Sequence, residues 1–168
     1  MKRVAVLVED YYQVLEVWYP YLRLREEGIQ TILVGTGKKG YKSKEGYPAE
    51  EELSIKKAKV EDFAAVVIPG GYAPDILRRY EEINKFVRDM YKLGKIVACI
   101  CHGGWVLVSA GILKGKKVTG FSAIKDDLIN AGAEFIDKEV VVDGNLITSR
   151  NPYDLPAFCK EIVRKLKT

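Results

Sequence analysis

Eight consecutive residues hold most of the chemistry this sequence can offer: Ala98-Cys99-Ile100-Cys101-His102-Gly103-Gly104-Trp105. A short apolar run delivers Cys101 to a glycine-bearing turn, and a helical pattern begins directly beyond it. A thiol so placed stands near the positive end of a helix, which favours thiolate. Strand, sharp turn and helix with the reactive side chain at the corner is the layout of a nucleophile elbow, here with Cys in place of Ser. Burial as a small core thiol is the ordinary fate of free cysteine and the expected fate of Cys99 and Cys159. Cys101 is the candidate nucleophile because the chain's single histidine follows it. Adjacent side chains of a strand point to opposite faces, but at an elbow the chain turns. His102 can therefore reach the same cleft as a base or proton shuttle, against the plain alternative of a turn residue satisfied by hydrogen bonds. A structural metal site on Cys99, Cys101 and His102 would need a fourth ligand, and the remaining Cys is Cys159 on the last helix. Neither a metal nor an organic cofactor is expected.

Two other segments could serve such a nucleophile. Pro69-Gly70-Gly71-Tyr72-Ala73-Pro74-Asp75 is glycine-rich but has neither dinucleotide-loop spacing nor the Lys and Ser/Thr of a phosphate loop. Its glycines expose backbone N–H groups instead, and the N–H of Gly71 together with that of His102 could hold an oxyanion. Glu9, Asp10 and Glu16 lie near the first apolar run. Glu16 sits among Val14, Leu15, Val17 and Trp18, where a carboxyl drawn inward would be partly desolvated and able to hydrogen-bond a thiolate. Asp75, beside Pro74, reads as a helix N-terminal acid.

The elements that must position these groups follow from hydrophobic periodicity. Val4 to Val8, Thr31 to Val34, Ala64 to Ile68 and Ile96 to Ile100 are continuous apolar runs rich in β-branched residues, as in strands buried on both faces of a parallel sheet. Val14, Trp18, Tyr21 and Leu22 predict one face of a helix that ends at Gly28, with Pro20 as a kink. Ile76, Tyr80, Ile83, Val87 and Met90 predict a second helix, from Pro74 to Gly94. A third runs from Trp105 to Leu113, and a fourth, capped by Ser122, contains Ile124, Leu128 and Ala131. Val140 to Val142 and Leu146 to Thr148 flank an Asp143-Gly144-Asn145 turn as a hairpin. The last helix follows Asp154 and Pro156, with Phe158, Ile162, Val163 and Leu166 inward. Gly35 to Val60 is expected to form small strands or a loop on one edge.

Strands alternating with helices specify a doubly wound α/β sandwich, here one domain over residues 1–168. In such a sheet ligands bind beyond the carboxyl ends of the strands, where strand order reverses. That rule nominates the segments after Val8, Ile68, Ile100 and Thr148.

Composition narrows the class. The 168 residues are 48% apolar and 10% aromatic, too rich for a disordered chain, and charges interrupt every apolar run before it could span a membrane. The 27 Lys+Arg and 23 Asp+Glu, net +4, are mixed along the chain rather than gathered into a basic stripe, so no nucleic-acid partner is expected. Arg3 to Val8 runs straight into Glu9 and Asp10 without a small-residue cleavage site, which suggests a cytoplasmic protein. Three cysteines in a chain of this length fit reduced thiols. Two Gln and four Asn beside many Lys and Glu suit a thermophile.

Several of these runs together resemble the ThiJ/PfpI family, in particular its PfpI branch of intracellular proteases, also described as protein deglycases. They are Val67-Ile68-Pro69-Gly70-Gly71, Ile96 to Gly103, Ile124 to Gly132 and Val140 to Asn145, and the likeness extends from Lys2 to Lys167. The resemblance implies a flavodoxin-like sandwich related to class I glutamine amidotransferase domains. It implies Cys101 as nucleophile, His102 as the adjacent histidine, Glu16 as hydrogen-bond partner of the cysteine sulfur, and the Gly71 and His102 N–H groups as oxyanion donors. It also implies that Asp75 orients the histidine of a neighbouring subunit, in a dimer or trimer of dimers (hexamer). Gln13 stands where PfpI relatives carry a second glutamate and Phe121 where some carry tyrosine; Tyr11, Tyr12 and Trp105 would reshape the pocket. The implied activity is a stress-defence hydrolase or lyase, a deglycase or glyoxalase acting on methylglyoxal or glyoxal adducts, on small carbonyl compounds or glycated proteins and peptides. An intracellular cysteine peptidase and a non-enzymatic redox sensor or chaperone with an oxidisable Cys101 are the competing expectations.

Overall fold

The computed structural model describes residues 3–168. Its order is β1 (Arg3–Leu7), α1 (Val14–Glu26), β2 (Gln30–Gly35), β3 (Gly40–Lys42), β4 (Pro48–Glu50), β5 (Leu53–Ser54), β6 (Ala65–Ile68), α2 (Ala73–Leu77), α3 (Glu81–Lys92) and β7 (Ile96–Ile100). There follow α4 (Gly104–Ala110), β8 (Lys117–Val118), α5 (Lys125–Asn130), β9 (Glu134–Phe135), β10 (Val141–Asp143), β11 (Leu146–Ser149) and α6 (Leu155–Lys167). The main sheet has the order β10-β11-β7-β6-β1-β2-β5, parallel except for the β10–β11 hairpin. This is the mostly parallel, helix-flanked sheet expected of a flavodoxin-like sandwich.

Strands β1, β6 and β7 are buried at nearly every position because helices cover both faces. α1 and α6 pack together on one side; α2, α3, α4 and α5 lie on the other. The chain runs outward from β1 to β2 and β5, then returns to place β6 on the opposite side of β1. That reversal between β1 and β6 creates a crevice at their carboxyl ends.

Four expectations need correction. The inward face of α1 is Glu16, Val17, Pro20 and Leu24, while Leu22 is exposed. Trp18 lies on the flank, where its indole N–H donates to Tyr12 and its ring packs edge-on against Tyr21 and Tyr47. Pro20 is accommodated inside the helix without ending it. The stripe from Ile76 to Met90 belongs to two helices, because Tyr80 is extended (ψ 113°) and the Asn84 amide donates to the Arg78 carbonyl, 2.8 Å away, across the break. Leu77, rather than Ile76, is its buried member there. The third helix ends at Ala110, where Gly111 takes the left-handed conformation, short of Leu113. Ser122 opens a 3-10 turn but its side chain caps no helix.

Candidate active site

The loops after β1, β6 and β7 meet at the crevice. Tyr12 and Gly71 form an isolated antiparallel bridge, supported by hydrogen bonds from Tyr72 N–H to the Tyr11 carbonyl (2.8 Å) and from Gln13 N–H to the Gly70 carbonyl (3.2 Å). Gly71 has φ +80°, and a Cβ on it would lie 2.4 Å from the Tyr11 oxygen, so the joint requires glycine at this position. The joint also fixes the start of α1. The Gln13 side chain caps that helix by accepting from Leu15 and Glu16 N–H (2.6 and 3.1 Å), which turns Glu16 under the loop. The position where the resemblance placed a pocket-lining glutamate is thus held by a neutral helix cap.

Cys101 leaves β7 with φ +60°, a strained value for a residue with a side chain and the mark of an elbow. Its Sγ lies 3.3 Å from His102 Nδ1, so the two adjacent side chains do share one cleft. The N–H groups of His102 and Gly71 both point at the sulfur. Behind it, Glu16 is fully buried, and its Oε1 accepts from Gly70 N–H at 3.1 Å. Glu16 Oε2 has no conventional hydrogen-bond partner, although the carboxyl stands close enough to the thiol for each to affect the other's charge. A Cβ on Gly70 would come 2.5 Å from Glu16 Oε1 and 2.7 Å from Cys101 Cβ, so the bare backbone here is what lets acid and thiol approach.

The electrostatics correct one expectation. Burial pushes the Glu16 carboxyl up to about 8, against the opposing pull of Gly70 N–H, Lys44 and the thiol. Burial also pushes the Cys101 thiol up to about 12, and charge on Glu16 adds to the rise, while the His102 and Gly71 N–H groups and Lys44 oppose it. The resting sulfur is therefore a thiol, not a thiolate: desolvation at the sheet end outweighs the field of α4, which starts only at Gly104. His102 moves the other way, below its ordinary value, through burial and then the charge of Lys44. A neutral imidazole beside an S–H group has the free lone pair a proton acceptor needs, but both shifts make the transfer uphill, so it must be coupled to formation of the bond that consumes the sulfur's charge.

The His102 ring lies between Phe121, stacked at 4.8 Å, and the edge of Trp105 at 5.0 Å. The fourth nominated place, after Thr148, adds Arg150 and Asn151 to an open pocket of about 400 Å³ that has Phe121 on its wall. Asp75 occupies the first turn of α2, half-exposed and ion-paired to Arg79, and makes no contact with His102 of its own chain. Cys99 and Cys159 are buried free thiols. Sequence reasoning missed Lys44, whose charge acts on Glu16, Cys101 and His102; it lies in the exposed β3–β4 loop, and only tertiary structure brings that loop to the site. In the sequence Gly70 reads only as a source of backbone N–H; that its missing side chain lets acid and thiol meet is visible only in the structure.

Residues 2–165 match the DJ-1/PfpI family. The chain belongs to that family. Among its DJ-1/PfpI relatives, the deglycase PfpI of Pyrococcus furiosus is 43% identical over 98% of this chain and 99% of its own. The protein/nucleic acid deglycase 2 of Escherichia coli is 41% identical over 98% of each chain. A crystal structure from Anabaena variabilis, of a two-domain protein with DJ-1/ThiJ/PfpI-like and ferritin-like domains, superposes with a TM-score of 0.98 at 41% identity, over 99% of this chain and 48% of that one. Family membership and the names of these relatives support a hydrolase-type enzyme. No helix among the described residues is long and apolar enough to cross a membrane.

Proposed function

We propose that this protein is a cysteine-dependent deglycase acting on adducts of amines with 2-oxoaldehydes such as methylglyoxal and glyoxal. The observation that carries the reading is the Cys101 Sγ to His102 Nδ1 approach of 3.3 Å at a strained elbow, with two backbone N–H groups aimed at the sulfur. The thiol proton passes to neutral His102 as Sγ bonds to the aldehyde-derived carbon of the adduct, and the bond from that carbon to the amine breaks as the amine takes the proton from His102. In the hemithioacetal so formed the C1 hydrogen leaves as a proton and its electron pair moves toward the adjacent keto carbon. The N–H groups of Gly71 and His102 stabilise the resulting enediolate oxyanion, reprotonation at C2 gives a 2-hydroxyacyl thioester, and water cleaves its C–S bond to release the 2-hydroxy acid and the Cys101 thiol. Overall, adduct plus water gives free amine plus a 2-hydroxy acid, with no external oxidant or reductant.

Glu16, protonated at neutral pH, supports this cycle better than a carboxylate would, because it adds no negative charge behind a sulfur that must ionise. The pocket beyond Phe121 offers room for the amine side of the adduct. The name of the Escherichia coli relative widens that side to modified nucleobases as well as proteins. Self-association remains part of the reading: Asp75 is half-exposed, and His102 Nε2 has no hydrogen-bond partner within the described chain, so a second subunit's Asp75 could orient it.

The test is release of amine and lactate from methylglyoxal-treated N-acetyl-lysine and N-acetyl-arginine, with Cys101→Ser as the control for contaminating enzymes and casein as a parallel substrate. Cys101-dependent release supports the deglycase reading. Cys101-dependent casein cleavage without amine release would replace it with peptidase action, and selective two-oxygen addition to Cys101 by mild peroxide without any turnover would replace it with redox sensing.

A further inference from the structure

The aromatic residues around His102 do more than line a pocket. The Trp105 indole N–H donates to Asp127 Oδ2 at 2.8 Å, which anchors a side chain of the first turn of α4 to α5. So held, the indole presents itself at 66° to the imidazole, while Phe121 stacks on the ring at an interplanar angle of 28°. Phe121 is itself tied to the elbow, since its N–H donates to the Cys101 carbonyl at 3.3 Å. On the other side of Trp105, the Arg78 guanidinium lies 5.8 Å from the indole centroid and its Nε donates to Ser109.

We infer that Trp105, anchored by Asp127, is a positioning residue that fixes the plane of His102 so that Nδ1 stays aimed at the Cys101 sulfur and the ring stays uncharged. Two aromatic neighbours leave the imidazole little rotation out of its plane, and the thiol selects the flip that faces it with nitrogen rather than carbon. The same neighbours shield part of the half-buried ring from water, which disfavours imidazolium. Within the chain the charged groups around it act in the same sense or remain at a distance. Lys44 from the β3–β4 loop and Arg78 behind Trp105 are both cationic; Glu16 carries a proton at neutral pH; Asp127 is engaged by the indole, and Asp75 by Arg79. The exception is a second subunit's Asp75, which in the proposed assembly meets Nε2 and opposes them, so every variant is compared with wild type in the same oligomeric state.

The inference rests on the proposed role of His102 as proton acceptor, but its test can be separated from that role. His102 is the chain's only histidine, so its ring protons in the NMR spectrum of the tag-free protein report its titration directly. Trp105→Ala is expected to raise the His102 pKa and shift the acidic limb of kcat/KM upward by the same amount. At neutral pH it should lose about three- to tenfold in kcat/KM, the range an aromatic pair sustains. Asp127→Ala should move both readouts in the same direction by less, and Trp105→Phe should restore most of the Trp105→Ala loss.

Wild-type titration and pH profile in a folded Trp105→Ala protein overturn the inference. If that variant fails to fold, Asp127→Ala decides it on the same readouts, and a wild-type His102 titration and pH profile in a folded Asp127→Ala protein overturns it. If no adduct is turned over, the deglycase reading fails instead, and the NMR titration together with the pH dependence of Cys101 alkylation by iodoacetamide still decides the role of Trp105.

Discussion

Two glutamates are buried at the carboxyl ends of this sheet, and they are used in opposite ways. Glu9 closes a structural corner. Its Oε1 accepts from Asp10 N–H at 2.8 Å, its Oε2 accepts from the Thr36 hydroxyl, and Lys38 stands 3.7 Å away. Around it Tyr41 donates to Glu51 at 2.6 Å and accepts from Thr36 N–H at 2.8 Å, so each polar group of that corner meets another. Glu16, seven positions on, is equally buried but accepts one backbone N–H and leaves an oxygen unpartnered against a thiol. A buried carboxyl with its hydrogen bonds complete stiffens the fold. One left short of partners keeps its proton to a higher pH and stays available to a neighbour.

The comparison can be broken in several places. Cys101→Ser has the largest expected effect: a loss of turnover of about 10³-fold or more in the adduct assay, with an unchanged melting temperature. Turnover that survives the change would remove the reactive corner from the account.

Gly70→Ala comes next. With its Cβ 2.5 Å from Glu16 Oε1, it should separate acid from thiol, abolish most activity and cost about 1–3 kcal/mol in urea unfolding. A fully active, fully stable variant would show that the close approach is unnecessary.

The two glutamates should then part. Glu9→Ala is expected to lose about 1–3 kcal/mol of stability while the surviving folded protein keeps its activity. Glu16→Gln should keep the fold and lose a pH dependence. The folded Glu16 pKa, about 8, lies above its unfolded value of 4.5, so in that window the folded chain holds a proton the unfolded chain has released. Stability in the wild type therefore falls as pH rises from about 5 to about 8, and denaturation of Glu16→Gln across that range should show a shallower fall. At pH 9 the variant's Cys101 should also be alkylated faster, because the charge that opposes thiolate is gone.

Lys44→Gln is the smallest effect. Removing a cation that favours both ionised acid and thiolate should slow Cys101 alkylation a few-fold at low salt, with little difference at high salt, as read by iodoacetamide kinetics.

Much of the reactive corner was legible in the sequence because it is built from local signals. A β-branched run, one Cys, one His and a glycine turn place Cys101 and His102 at an elbow whatever the rest of the chain does. Glu16 was legible as a carboxyl among apolar neighbours, although the face of α1 that carries it inward is not the one periodicity suggested. The break between α2 and α3 was hidden because Tyr80 continues an apolar stripe that its extended backbone interrupts. The protonation of the thiol was hidden too, since a helix N-terminus is visible in sequence and the depth of burial opposing it is not.

By itself the sequence determined the alternation of buried strands and amphipathic helices, and hence the layered sheet with a crevice at its strand ends. It also determined which residue types could react there, because side-chain chemistry and local turn geometry are written position by position. Only the tertiary structure decided the charge states, the pairing of Glu16 with Cys101 across Gly70, and the aromatic setting of His102. Those depend on how much water is excluded and on which distant segments converge, and residues 16, 44, 70, 101, 105 and 121 become neighbours only when the sheet is wound.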